Sequence, residues 1–111
     1  MREKDIEARL KQVIELNGGL FYKFTSPGND GVPDRIAVLP DGQVWFIELK
    51  TEKGVTTKIQ EWQIQRLRVR NANVAVLHGL DECIAWFNNL YIAPGPFGGG
   101  FIHEGVFKDE V

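Results

Sequence analysis

The chain is poor in cysteine, in histidine and in charge of one sign, and each shortage excludes something. A single cysteine, Cys83, among 111 residues leaves no partner for an internal disulfide, which points to a reducing cytoplasm. No signal peptide is recognisable and no apolar run is long enough to span a bilayer, so no membrane partner is expected. The net charge of −2 argues against a protein that coats nucleic acid indiscriminately. Both histidines have ordinary readings: His78 ends an apolar strand pattern and His103 sits in a polar tail, so each is structural or solvated. Internal repeats are absent. What remains, 43% hydrophobic and 25% charged residues, is the composition of one small globular domain able to bury a core.

The apolar pattern divides that domain into seven elements. Ile6, Leu10, Val13 and Ile14 recur at helical spacing over about 3–16, and Asn17-Gly18-Gly19 stops the run. A strand over 20–24 is followed by a polar loop, 26–31, rich in Gly, Pro and Asn. A hairpin pairs 34–39 with 44–50, and a second helix, about 58–70, turns Ile59, Trp62 and Leu67 inward. Asn73 to His78 reads as a buried strand, and a third helix covers about 82–89 with Asp81 as N-cap. Trp45, Trp62 and Trp86 fit a core better than a surface for stacking bases. The order αβββαβα, with the last strand reached through a helical crossover, implies an α/β (α+β) fold with a mixed sheet and packed helices. Residues 91–111 form a Gly/Pro-rich tail outside the 1–90 domain, and its aromatics are expected to pack on the domain or on a second subunit.

The chemistry concentrates in the hairpin. Gly31-Val32-Pro33-Asp34-Arg35 precedes Glu48-Leu49-Lys50, with thirteen residues between Asp34 and Glu48. Leu39-Pro40-Asp41-Gly42 carries Pro and Gly at the second and fourth positions of a type I turn. Closed through a left-handed Gly42, that turn leaves a three-residue loop flanked by the pair Leu39 and Gln43. Continuing the pairing outward brings Asp34 opposite Glu48, on one face, with Cβ atoms roughly 5 Å apart. A two-residue loop would instead set Asp34 against Leu49, on the wrong face. Lys50 shares the Glu48 face by strand alternation. Such a carboxylate pair repels itself unless a cation lies between, and all-oxygen ligation suits Mg²⁺ or Mn²⁺. An acidic pair on a solvated sheet face, with Lys50 in a weak salt bridge, is the competing reading. Like charges directly opposed are unfavourable in an ordinary sheet, which tilts the balance to a metal.

The combination Gly31-Val-Pro-Asp-Arg, then Trp45-Phe-Ile-Glu-Leu-Lys-Thr51, Gly54 and Gln60 resembles the VRR-NUC (virus-type replication-repair nuclease) family of the PD-(D/E)XK nuclease superfamily. The match runs over about residues 3–90. It implies a restriction-endonuclease-like core. It also implies metal ligation by Asp34, Glu48 and the Leu49 backbone carbonyl, a catalytic Lys50, and Gln60 as a matching glutamine on the following helix. Glu7 on the first helix matches an acidic residue that completes the metal site. The residues themselves leave rivals open. Thr57-Lys58-Ile59-Gln60 is a capping box that by itself explains Gln60, and Glu7 borders the buried stripe of an amphipathic helix. Ser26 and Asn29, in the loop beside the site, are candidate DNA contacts with Lys53 and Lys58, although a plain turn explains the first two. From Lys50 to Arg70, six basic residues stand against two acidic ones, which marks either a phosphate-facing side or a solvated helix face.

The resulting expectation is a metal-dependent DNA endonuclease, structure-selective because no element is evident for reading bases in a groove. Stand-alone family members resemble Holliday-junction resolvases, so a homodimer acting on branched or junction DNA is expected, from a phage or bacterial cell. A flap- or end-processing nuclease is the rival within the class. A non-catalytic DNA-binding scaffold is the rival outside it, disfavoured because Asp34, Glu48 and Lys50 are all present.

Overall fold

The computed structural model describes residues 1–91, and the elements follow the expected order. They are α1 (Glu3–Leu16), β1 (Leu20–Lys23), β2 (Arg35–Val38), β3 (Val44–Lys50), α2 (Lys58–Arg68), β4 (Asn73–His78) and α3 (Gly79–Tyr91). The C-terminal tail, with its proposed packing on a second subunit and His103, lies outside the described residues.

The four strands form one sheet in the order β1-β2-β3-β4. A long loop joins β1 to β2 and a tight turn joins β2 to β3, both pairs antiparallel, while the α2 crossover returns the chain to lay β4 parallel to β3. The sheet is covered on both sides, and the period-two alternation of β3 sorts its residues between them. Ile47 and Leu49 point to the side of α1 and α3, where they join Ile6, Leu10, Ile14, Ala37, Leu77, Cys83 and Phe87 in the core. Burial pushes the Cys83 thiol up to about 12, leaving it an inert part of that core. Phe46, Glu48 and Lys50 face the opposite side, toward α2. There Ile64 and Val74 are buried, as is Glu48.

The hairpin has the expected register. Val38 pairs with Val44 and Arg35 with Ile47, so the next pair outward is Asp34 with Glu48. The Leu39 N–H donates to the Gln43 carbonyl at 2.8 Å, and the Gly42 N–H donates to the Leu39 carbonyl at 2.8 Å. Gly42 takes the left-handed conformation, φ 91°, that closes the three-residue loop.

Two elements differ from expectation. Helix α2 buries Gln63 and Ile64, whereas Ile59 is 47% and Trp62 55% exposed. Its rotation is set by polar anchors rather than by apolar count: Gln60 reaches Glu48 and the Gln63 amide donates to the Asp30 carbonyl at 3.1 Å. Helix α3 begins at Gly79, so Asp81 lies inside its first turn rather than at the N-cap. The Glu82 carboxylate instead accepts from the His78 N–H at 2.8 Å, a partner offered one residue before the helix begins. Trp45 and Trp86 do pack against the core, edge to face at 5.4 Å.

Gly31 is where the loop before β2 presses on α2. Its φ is +86°, and an added Cβ would lie 2.8 Å from the Ile59 backbone carbonyl carbon and oxygen. Gly42 has the same backbone hand but open space around it. Gly42→Ala is therefore expected to cost about 1 kcal/mol in urea denaturation, the left-handed strain alone. Gly31→Ala is expected to cost about twice that or more, since loop or helix must also shift.

Candidate active site

The site is organised around one buried acid. Glu48 lies midway along the face of β3 that α2 covers, and its side chain is only 7% exposed. Lys50, two residues along the strand, brings its Nζ to 3.7 Å from Glu48 Oε2. Gln60, in the first turn of α2, donates from Nε2 to the same oxygen at 3.3 Å. The Gln60 Oε1 accepts from the Thr57 N–H at 2.9 Å, while the Thr57 hydroxyl accepts from the Gln60 N–H at 3.2 Å. The two readings of Gln60 are thus both realised. One end of the amide closes the capping box and the other binds the acid.

Asp34 stands at the mouth of this arrangement, its side chain 59% exposed. Its carbonyl accepts from the Phe24 N–H at 2.8 Å, which pins the chain as it enters β2. The Glu48 carboxyl is pushed up to about 7, first by burial and next by the Asp34 charge, with Lys50 opposing and Glu3 adding a little. An acid held that high beside a second carboxylate is short of positive charge. Among the described residues no three metal-binding side chains come together, and Asp34 and Glu48 are the facing carboxylate pair at this site. The donor set fits Mg²⁺ or Mn²⁺, ions that retain several waters and take only one or two carboxylates.

Glu7 occupies a different place. It accepts a 2.5 Å hydrogen bond from Arg35 Nη2, and Arg35 Nη1 lies 3.0 Å from both the Asp34 carbonyl and its Oδ1. One guanidinium therefore joins the first helix to the site aspartate. The hydrogen bond from Arg35 holds the Glu7 carboxyl below its usual value, and Glu7 in turn raises Arg35. Arg35 escaped the sequence reading, yet a sign was there: alternation places it on the buried face next to Ala37, where an arginine needs an acid. Ser26 and Asn29 form a self-contained turn, with the Asn29 amide donating to Ser26 Oγ at 3.0 Å. Lys53 is exposed on the connection into α2, and Lys58 is exposed at its first residue. Gly54 packs on the stem of Lys50, where an added Cβ would meet Lys50 Cβ at 3.2 Å.

Known proteins share this fold. A solved VRR_NUC domain superposes with a TM-score of 0.75 at 31% identity, over 80% of this chain and 97% of that one. The chain belongs to the VRR-NUC family. A second solved VRR_NUC domain protein, at 15% identity and a TM-score of 0.64, has the same fold over 80% of this chain and 87% of its own. In sequence, "Putative nuclease p44" of Acyrthosiphon pisum secondary endosymbiont phage 1 is 40% identical over 81 residues, 73% of this chain and 87% of that protein. No family model matches the chain. VRR-NUC membership carries the PD-(D/E)XK nuclease fold, which generally works with divalent metals. Among the described residues, no helix is long and apolar enough to cross a membrane.

The raised Glu48 carboxyl makes the metal-free protein pH-sensitive in a defined direction. The folded state holds a proton between about 4.5 and about 7 that the unfolded chain releases. The Glu48 contribution to stability is therefore full below that window and is lost as pH rises through it, by roughly 3 kcal/mol. Urea titrations in EDTA are expected to give Glu48→Gln a flatter pH profile than the native protein and a higher stability above pH 7.

Proposed function

We propose that the chain is a divalent-metal-dependent DNA endonuclease that hydrolyses phosphodiester bonds, with Asp34, Glu48, Lys50 and Gln60 as its working residues. The observation that carries this reading is the buried Glu48 carboxylate, shared by Lys50 and Gln60 and repelled by Asp34. Asp34, Glu48 and the Leu49 carbonyl form the proposed ligand set, all within the 1–90 nuclease domain. Glu7 is a candidate third carboxylate, although its bond to Arg35 already gives it a role in positioning Asp34. A bound Mg²⁺ or Mn²⁺ supplies Lewis-acid polarisation of the phosphoryl oxygen and a more acidic water.

The protein's own groups do the rest. Glu48 orients the Lys50 ammonium toward the mouth of the site, where it steadies the attacking water and offsets charge on the phosphorane. Gln60 bonds the same carboxylate oxygen as Lys50 and so keeps the Glu48 side chain from rotating away. Water oxygen bonds to phosphorus, the bond to the 3′ oxygen breaks, and that oxygen takes a proton. The products are a 5′-phosphate and a 3′-hydroxyl, as the superfamily implies. For substrate, we infer branched or junction DNA cut by a homodimer, whose two-fold axis would set two sites against opposing strands. The placement is intracellular, in keeping with the phage relative.

Purified protein is expected to cut a four-way junction in Mg²⁺ or Mn²⁺, to cut flap or linear duplex more slowly, and to do nothing in EDTA. Asp34→Asn and Glu48→Gln are expected to lose at least about a hundredfold in rate with the fold retained. Lys50→Ala should lose cleavage yet still bind Mn²⁺ in calorimetry. Native protein that takes up no divalent ion, or that cuts equally well in EDTA, would overturn the reading. A monomer by light scattering, with junction cleavage intact, would remove the dimer from it.

Glu7 is tested separately. Glu7→Gln leaves the largely buried Arg35 guanidinium without its acid and is expected to lower stability by about 2 kcal/mol. If Glu7 only positions Asp34, Mn²⁺ affinity falls far less than it does in Glu48→Gln; an equal fall would make it a ligand.

A further inference from the structure

Helix α2 turns one unexpected face to solvent. Trp62 is 55% exposed, and the Arg66 guanidinium lies over its ring at 4.5 Å from the centroid. Arg66 and Arg70 are exposed and, with Val32, Gln63 and Leu67, line a cavity of about 170 Å³ between the helix and the loop leading to Asp34. Gln63 stitches that loop to the helix through the Asp30 carbonyl. The cavity beside the strip therefore abuts the loop that carries Asp34 into β2.

We propose that Trp62, Arg66 and Arg70 form a docking strip for unpaired DNA beside the cleaved bond, Trp62 stacking on a base and the arginines holding phosphates. The proposal rests on the nuclease reading above and names the feature of the substrate that it grips. Charge argues for this occupant, because the stretch from Lys50 to Arg70 carries six basic and two acidic residues. The same charge argues against a second copy of the chain, since a two-fold contact would set arginine against arginine. Of the two acids, Glu61 is bonded to the Thr56 hydroxyl at 3.0 Å, on another side of the helix.

Distance fits as well. Gln60 is bonded to Glu48, and Arg66, six residues further on, lies about 9 Å along the helix axis. At roughly 3.4 Å of rise per nucleotide along a strand, that axial offset alone is about two to three nucleotides, and the turn of the strip around the helix from Gln60 adds to it. A base inside a duplex has both faces covered and cannot stack on Trp62. An unpaired base at a branch can, and the stack tolerates any sequence because every base has a π-face. The guanidinium over Trp62 keeps a cation next to the stacking position.

The test measures binding of fluorescein-labelled oligo(dT) and of a fully paired duplex in EDTA by anisotropy, and cleavage of a flap and a junction in Mn²⁺. Trp62→Ala is expected to weaken oligo(dT) binding about tenfold, Trp62→Phe to retain most of it, and duplex binding to change less than about twofold. Arg66→Ala should lower the salt slope of oligo(dT) binding by about one. Native protein that cleaves while Trp62→Ala matches it on every substrate overturns this inference and leaves the nuclease reading intact. Native protein that cleaves nothing but binds oligo(dT) through Trp62 does the reverse. A Trp62→Ala protein that becomes a smaller species in solution, with DNA binding unchanged, would assign the strip to a second copy of this chain and overturn the proposal.

Discussion

Everything on the α2 side of the sheet answers to the burial of Glu48. A carboxylate in that position is costly unless its oxygens are satisfied, and the fold supplies an ammonium from the same strand and an amide from the next helix. Those two partners still leave the acid raised to about 7, so its charge is only partly compensated. Stability alone would favour an apolar residue there. The divalent cation proposed above would supply the missing charge and a physical reason to retain the acid.

The compensation extends across the sheet through Arg35. Its guanidinium, largely buried, binds Glu7 from α1 and reaches Asp34 at the edge of the opposite face. Two of the three acids that the family resemblance grouped as ligands, Glu7 and Asp34, are therefore linked, but by a shared guanidinium rather than by direct approach. Helix α1 thereby reaches Asp34 through the Glu7–Arg35 bridge, and the position of Asp34 depends on a residue far from it in sequence.

Most of the fold was legible because its determinants are local. The spacing of Ile6, Leu10 and Ile14, the Pro-Asp-Gly turn and the alternation along β3 each specify their element within a few residues. The hairpin register followed from turn chemistry, and with it the facing of Asp34 and Glu48. The orientation of α2 was not legible, because Gln60 and Gln63 take partners from segments distant in sequence. An apolar count assigned Ile59 and Trp62 to the core, but polar groups with long-range partners had the stronger claim on that face. Arg35 was hidden for a similar reason, since its acid lies twenty-eight residues earlier.

The double use of Gln60 joins two events that most enzymes keep apart. One amide closes the first turn of α2 and also holds the acid, so nucleation of the helix and assembly of the site are a single cooperative step. A helix that frays at its N-terminus releases Glu48 at once. The amide proton of Thr57, bonded to the Gln60 side-chain oxygen, is therefore slowed in exchange for as long as that contact holds. One backbone proton, outside the chemistry altogether, keeps count of how often the site comes apart.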